Sequence, residues 1–419
     1  MELLIVATAA VALVVIVRAS LDAAAARRVV LVLLGAFVVR LLVHVAVLRS
    51  GLIEYGGDNL DYEARALQIV SYWRLEGLQF VTADQLSSLQ SIAVPCNVFA
   101  LVVWLCGGPA PLACTAVVAL LACVMCVIVY RLARLVGADE QAAFRLLVVV
   151  AFMPAFLLHT SDTYKDGFNA FLVVAGVGVA VSVAQRFRFN ALLVAGALLW
   201  CLWYVRPYMV FMCVLPLVLA VVISKSRFSV RKLCAFGLLL TAGMLFFAGV
   251  YDSAPVESMQ QQLDRGQSQV VRGANAGGGS GVVFSDGGDA WGDLGPKLVY
   301  TVLSPFPWSA GSLAFQLGKI DVLVWYFLLF SAARGAARLW WRDRRTLLLL
   351  LAFIVPGTIA YATTMSNVGL IFRQRIPIVL ITSVLAAVAW TRVPGEPVAP
   401  RRRRTPPARH LPPVLERHR

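Results

Sequence analysis

Four short polar stretches interrupt an otherwise apolar chain, and their residue types indicate what chemistry they can do. The first, Glu54-Tyr55-Gly56-Gly57-Asp58-Asn59-Leu60-Asp61-Tyr62-Glu63, offers Asp58 and Asp61 beside Tyr62. The second is His159-Thr160-Ser161-Asp162-Thr163-Tyr164-Lys165-Asp166. The third, Arg206-Pro207-Tyr208, and the fourth, Ser366-Asn367-Val368-Gly369-Leu370-Ile371-Phe372-Arg373-Gln374-Arg375, are basic. A carboxylate held against a hydroxyl acts as a general base. Arginine forms bidentate pairs with phosphate oxygens and stabilises charge developing on a leaving group. Asp58 and Asp166 are therefore the candidates for acid–base work. Asp61, Tyr62, Lys165, Arg206, Asn367, Arg373 and Arg375 are the candidate substrate contacts. Each stretch also has a bland reading: a solvated acidic loop, a connecting turn, or arginines resting on ordinary lipid headgroups.

What must position these residues is set by composition. Of 419 residues, 60% are hydrophobic and 14% charged, and the mean hydropathy is +0.80. Soluble proteins carry about 45–50% apolar and roughly 25% charged residues. A chain this apolar cannot bury itself in a water-soluble core, which excludes a soluble enzyme, a disordered protein and a disulfide-stapled secreted module. The reading is an all-α polytopic membrane protein. Its net charge of +15 is then first a topology signal, not a sign of nucleic-acid binding. The eight cysteines all fall in apolar segments and read as small hydrophobes. No basic residue precedes the apolar run at 3–17, unlike a cleaved signal peptide, so that run is expected to stay as a membrane helix.

A crossing helix needs about 20 apolar residues. Runs lie at about 2–17, 29–48, 92–106, 112–130, 146–160, 168–184, 191–205, 209–224, 234–250, 320–333, 346–364 and 376–391, with a weaker one at 298–318. If 92–106 and 298–318 stay at the outer face, about eleven helices cross, with the N-terminus outside and the C-terminus cytoplasmic. The inner loops then hold 25 of the 37 basic residues and 6 of the 22 acidic ones, as the positive-inside bias requires. Letting 92–106 cross turns the later basic loops outward. That run is thus read as an outer juxtamembrane element. The domain is 1–391, with long outer loops at about 49–91 and 251–297, the second containing ten glycines and read as a spacer or lid. The tail 392–419, with seven prolines and the run Arg401–Arg404, is expected to be disordered and to meet anionic lipid on the cytoplasmic side.

In this topology all four polar stretches emerge on the outer face. A short amphipathic helix is expected from Leu60, with Leu60, Ala64 and Leu67 on one face lying against the bilayer. Arg40 and His44 fall within the membrane, where ionisable residues mark function by default, unless Arg40 snorkels to the interface. Outer carboxylates beside outer arginines suit glycosyl transfer from a polyprenyl-phosphate carrier: the lipid tail accounts for the membrane embedding and the phosphate for the arginines.

Motif order adds a resemblance. The stretch Gly57-Asp58-Asn59-Leu60-Asp61-Tyr62 is similar to the Gly-Asp-x-x-x-Tyr stretch in the first outer loop of GT-C glycosyltransferases of the family-39-like branch. The juxtamembrane element ending at Gly107-Gly108 follows, then the cytoplasmic stretch Tyr130-Arg131-Leu132-Ala133-Arg134-Leu135-Val136-Gly137. Pro154 and Asp166 come next. The stretch from Asn367 through Gly369, Arg373 and Arg375 to Pro377 resembles one in uncharacterised polysaccharide-locus membrane proteins. The resemblance covers most of 29–391. It implies a GT-C-like fold in a bacterial cytoplasmic membrane and an inverting glycosyltransferase acting in cell-surface polysaccharide or glycoconjugate assembly. It also implies Asp58 as catalytic base and Asp166 as the second-loop acid. The chain departs from the family in its extra first helix, its lack of a soluble C-terminal domain and its Lys165-Asp166 pair.

The implied partners are a polyprenyl-phosphate-linked sugar donor and a glycan, lipid or protein acceptor. The alternatives are a polymerase or ligase acting on lipid-diphosphate-linked oligosaccharides, and a lipid-glycan transporter. No nucleotide-binding Gly-x-x-x-x-Gly-Lys stretch occurs and no His/Cys cluster has zinc spacing. The sequence requires no cofactor, although Asp58 with Asp166 would be the pair available to a divalent cation.

Overall fold

A computed structural model describes residues 1–51, 57–224, 291–308, 313–363 and 373–392. Within them every regular element is helical. The order is α1 (Glu2–Ser20), α2 (Ala23–Val43) continuing as one π-helical turn (His44–Leu48), α3 (Asp58–Glu76), α4 (Ala93–Cys106), α5 (Pro111–Val136), α6 (Glu140–Ala151), α7 (Pro154–Leu158), α8 (Asp166–Gln185), α9 (Phe189–Trp203) and α10 (Pro207–Ile223). Beyond them come α11 (Leu294–Leu303), α12 (Leu313–Arg342), α13 (Arg344–Thr363) and α14 (Ile376–Trp390). The span read at 234–250, most of the loop 251–297, Asn367 and the tail after Arg392 lie outside the described residues.

Local chemistry sets these boundaries. Asp22 and Asp139 cap α2 and α6 by accepting from Ala25 N and Ala142 N, which satisfies donors the first turn leaves open. Proline stands in the first turn of α5, α7, α10 and α14, where its missing N–H costs nothing. Gly137 ends α5 at φ +107°, and Gly107 ends α4 in the same left-handed region.

Six segments are long and apolar enough to cross a membrane: α1, α2 with its π turn, α5, α8, residues 318–342 of α12, and α13. Helices α9, α10 and α14 are apolar but shorter, at 15, 17 and 15 residues. At 1.5 Å per residue these are about 22–26 Å long, below the ~30 Å of a hydrocarbon core. The molecule is thus a helical, multi-pass membrane-type protein. The run at 146–160 is broken into α6 and α7 at Phe152-Met153.

Contacts sort the loops into two ends. At one, Gln185 Nε2 donates to Leu135 O at 2.6 Å, Arg342 Nη1 to Gly137 O at 3.1 Å, and Asp139 N to Thr391 Oγ1 at 3.3 Å. The described parts of the loops read as cytoplasmic therefore do lie together. At the other end are the starts of α3, α8 and α10 and the residues preceding α14. Helix α4 does not run between the ends. Lys165 Nζ reaches Ser91 O just before it, and Cys106 at its far end lies in the electrostatic field of Glu2 and the N-terminal amine, where α1 begins. Helix α11, at ten residues, is likewise too short to cross.

The tightest helix pair is α12 against α14. A Cβ on Gly335 would stand 1.8 Å from Leu385 O, so only glycine permits this approach. Every residue of α14 from Ile376 to Val388 is buried, among α5, α6, α8, α12 and α13.

Candidate functional site

Four helices begin at one place. Asp58 opens α3 and Asp166 opens α8; Arg206 precedes α10 and Arg373 precedes α14 by less than one turn. A carboxylate at a helix N-terminus is favoured by the unpaired N–H groups there, and so is any anion that approaches them. Asp166 is buried, with its side chain 1% exposed. Its Oδ1 accepts from Arg206 Nη2 at 2.8 Å and its Oδ2 from Arg373 Nε at 2.8 Å. Arg373 Nη1 then reaches Asp58 Oδ2 at 2.6 Å. Asp58 is the accessible member, its side chain 46% exposed.

Aromatic and cationic groups frame this chain of charges. Arg206 Nη1 donates to Tyr208 OH at 2.8 Å, and its Nε is buried without a partner among the described residues. The guanidinium of Arg373 lies 5.4 Å from the centre of the Tyr164 ring, within cation–π range. Tyr62 is buried. Burial works against the charge on Arg373, yet Asp166 and Asp58 outweigh it and hold the guanidinium above its ordinary value. Lys165, half-buried, is pulled down to about 8 by burial and then by Arg206, with Asp166 opposing. Two arginines therefore pair with two carboxylates, one of them accessible, while Lys165 next to Asp166 donates to Ser91 O.

A second network lies beside the first. Asp162, fully buried, accepts from Arg49 Nη2 at 2.9 Å, Asn59 Nδ2 at 2.8 Å and Thr163 N at 2.8 Å. His44 Nδ1 stands 3.4 Å from its Oδ1 and 3.2 Å from Thr115 Oγ1. Arg49 also pairs with Glu63, which accepts from Thr163 Oγ1 at 2.9 Å. Burial pushes Asp162 up, but the His44 hydrogen bond and Arg49 outweigh it and leave its acidity at about 2.

The structure brings Asp58, Asp166, Arg206, Arg373, Lys165 and Tyr62 together and leaves two expected members out. Asp61 points away; its side chain is 63% exposed and 3.8 Å from Arg65 one turn on. Arg375 is turned to a separate buried locus, where Nη1 donates to Ser304 O at 2.5 Å and Nη2 lies 3.8 Å from Asp321. Arg373 bridges Asp58 and Asp166, the pair suggested for a cation. No three His, Cys, Asp or Glu side chains converge as a metal site among the described residues. Arg40 does not snorkel. It is fully buried, donates from Nε to Thr160 Oγ1 at 2.8 Å and from Nη1 to Ala36 O, and lies over Phe156.

Sequence reasoning missed Arg49, Asn59, Glu63, Asp162, Tyr164 and Asp321. Arg49 carried a usable signal: in the expected topology it is a cation on the side that positive-inside bias disfavours. Asp162 and Tyr164 stood inside a stretch already marked. Asp321 had only its place in an apolar run.

Comparison with protein-family models, with curated proteins and with solved structures gives no match.

Proposed function

We propose that this protein is an integral-membrane glycosyltransferase that moves a sugar from a polyprenyl-phosphate carrier to a glycan, lipid or protein acceptor, at the outer face of a bacterial cytoplasmic membrane. The observation that carries this reading is the asymmetry between the two acids. Asp58 is accessible and pairs with Arg373 through one oxygen, and a base must be within reach of the acceptor hydroxyl. Asp166 is inaccessible and has a guanidinium on each oxygen. Asp58 takes the proton of the acceptor hydroxyl as its oxygen attacks the anomeric carbon with inversion, and the carrier leaves as polyprenyl phosphate. Arg206, Arg373 and Lys165 supply positive charge where that phosphate gains its negative charge. The role of Asp166 is then to hold both arginines in place rather than to exchange a proton, which revises its expected part as a second catalytic acid.

The test is the mass of lipid-linked glycans in a deletion strain complemented with wild type or Asp58→Asn. The reading expects an intermediate one sugar short that wild type clears and Asp58→Asn does not. Full clearance by Asp58→Asn overturns it. Complete repeat units that fail to extend, with Arg373 sensitive and Asp58 tolerant, identify instead a polymerase or ligase holding a lipid diphosphate.

A further inference from the structure

We infer that Asp162 is a positioning residue for Asp58, fixing the rotation of α3 so that Asp58 and Tyr62 face the paired arginines. The inference takes its kinetic consequence from the transferase reading and its geometric content from the second network alone.

Helix α3 is held to the turn before α8 at two points. Asn59 Nδ2 donates to Asp162 Oδ2 at 2.8 Å, and Asn59 O accepts from Thr163 Oγ1 at 3.2 Å. Glu63, one turn later, takes Thr163 Oγ1 at 2.9 Å and Arg49. Positions 59 and 63 share one edge of the helix, and 58 and 62 share the edge next to it. Pinning the first edge sets where the second points.

Asp162 also joins the two halves of the site. It lies four residues before Asp166 in the same turn and is anchored from below by Arg49 and His44 at the end of α2. His44 in turn contacts Thr115 on α5. The acid that positions the base and the acid that positions the phosphate-holding arginines are therefore carried on one short segment. The leverage is large. A side-chain carboxylate stands about 6 Å from its helix axis, so a rotation of roughly 10° carries it about 1 Å. A misplacement of that size costs on the order of 100-fold in rate.

The test uses the purified full chain in nanodiscs, as wild type, Asp162→Asn and Asn59→Ala. Two quantities are measured. The first is amide hydrogen exchange over residues 58–66. The second is consumption of polyprenyl-phosphate glucose, galactose, mannose and arabinose, each supplied separately with lipid extract of the deletion strain as acceptor. Both variants are expected to raise exchange at 58–66 at least tenfold while α5 and α8 stay as in wild type. Both are expected to lower kcat about 10- to 100-fold with KM for the donor within twofold. Unchanged exchange at 58–66, or a raised KM with kcat kept, overturns the inference. Asn59→Ala keeps every ion pair of the network, so it decides the matter if Asp162→Asn does not fold. A fully active Asp58→Asn would overturn the transferase reading instead, and the exchange measurement would still decide whether Asp162 orients α3.

Discussion

Asp58, Asp166 and Asp162 are three aspartates within one end of the molecule, and their surroundings give them three different uses. Asp166 and Asp162 are sealed from solvent and have their oxygens committed to cations and amides. Asp58 alone keeps access. Lys165 adds a group whose charge is itself adjustable. Burial and Arg206 lower it to about 8, so it is a cation below that pH and neutral above it. Retention of an anionic lipid-phosphate donor is therefore expected to weaken as pH rises through about 8. In Lys165→Arg that alkaline limb is expected to vanish, because guanidinium stays protonated throughout. Donor KM measured from pH 6.5 to 9.5 checks this; an alkaline limb unchanged in Lys165→Arg removes Lys165 from the phosphate contacts.

Among the elements, the site is assembled from helix beginnings, and α12 against α14 fixes one of them. Gly335 is the point of closest approach. Gly335→Ala places a methyl group into the Leu385 carbonyl and is expected to cost about 1–3 kcal/mol, the range for overpacking. Gly196 on α9 has open space around it, so Gly196→Ala is the matched control. Thermal melting in detergent should fall by several degrees for the first and stay within error for the second. The described parts of the loops read as cytoplasmic do share an end, and the helical, membrane-type character of the described chain was legible from hydropathy. So were the four stretches that meet at the site. What was not legible is a matter of rotation. Arg373 and Arg375 are two residues apart before the same helix, and only the packing of α14 decides that one faces Asp166 and the other Asp321. The face of α3 carrying Leu60, Ala64 and Leu67 is exposed, as its apolar pattern implied. Its opposite face, with Tyr62, Ile69 and Trp73 buried beside α4, gave no comparable signal, because charged residues interleave it.

At the scale of the whole molecule, the contacts gather the basic loops at one end and the aspartate–arginine cluster at the other. Under the topology expected from the positive-inside bias, the cluster faces outward. Alkaline phosphatase fused after Gly77 is then expected to be active and the same enzyme fused after Gly137 inactive. The reverse pattern would put the cluster in the cytoplasm and remove the proposed outer-face reaction. The burial of α14 has a consequence for how the protein is made. The ribosome delivers this helix after every other element described, yet its place lies inside the bundle, among five earlier helices. Those helices must admit a latecomer to their centre, and Arg373 arrives with it. Until then Asp166 has one arginine instead of two, and Asp58 lacks its ion-pair partner. Under the transferase reading a nascent chain is therefore inert until the last of the described helices has inserted.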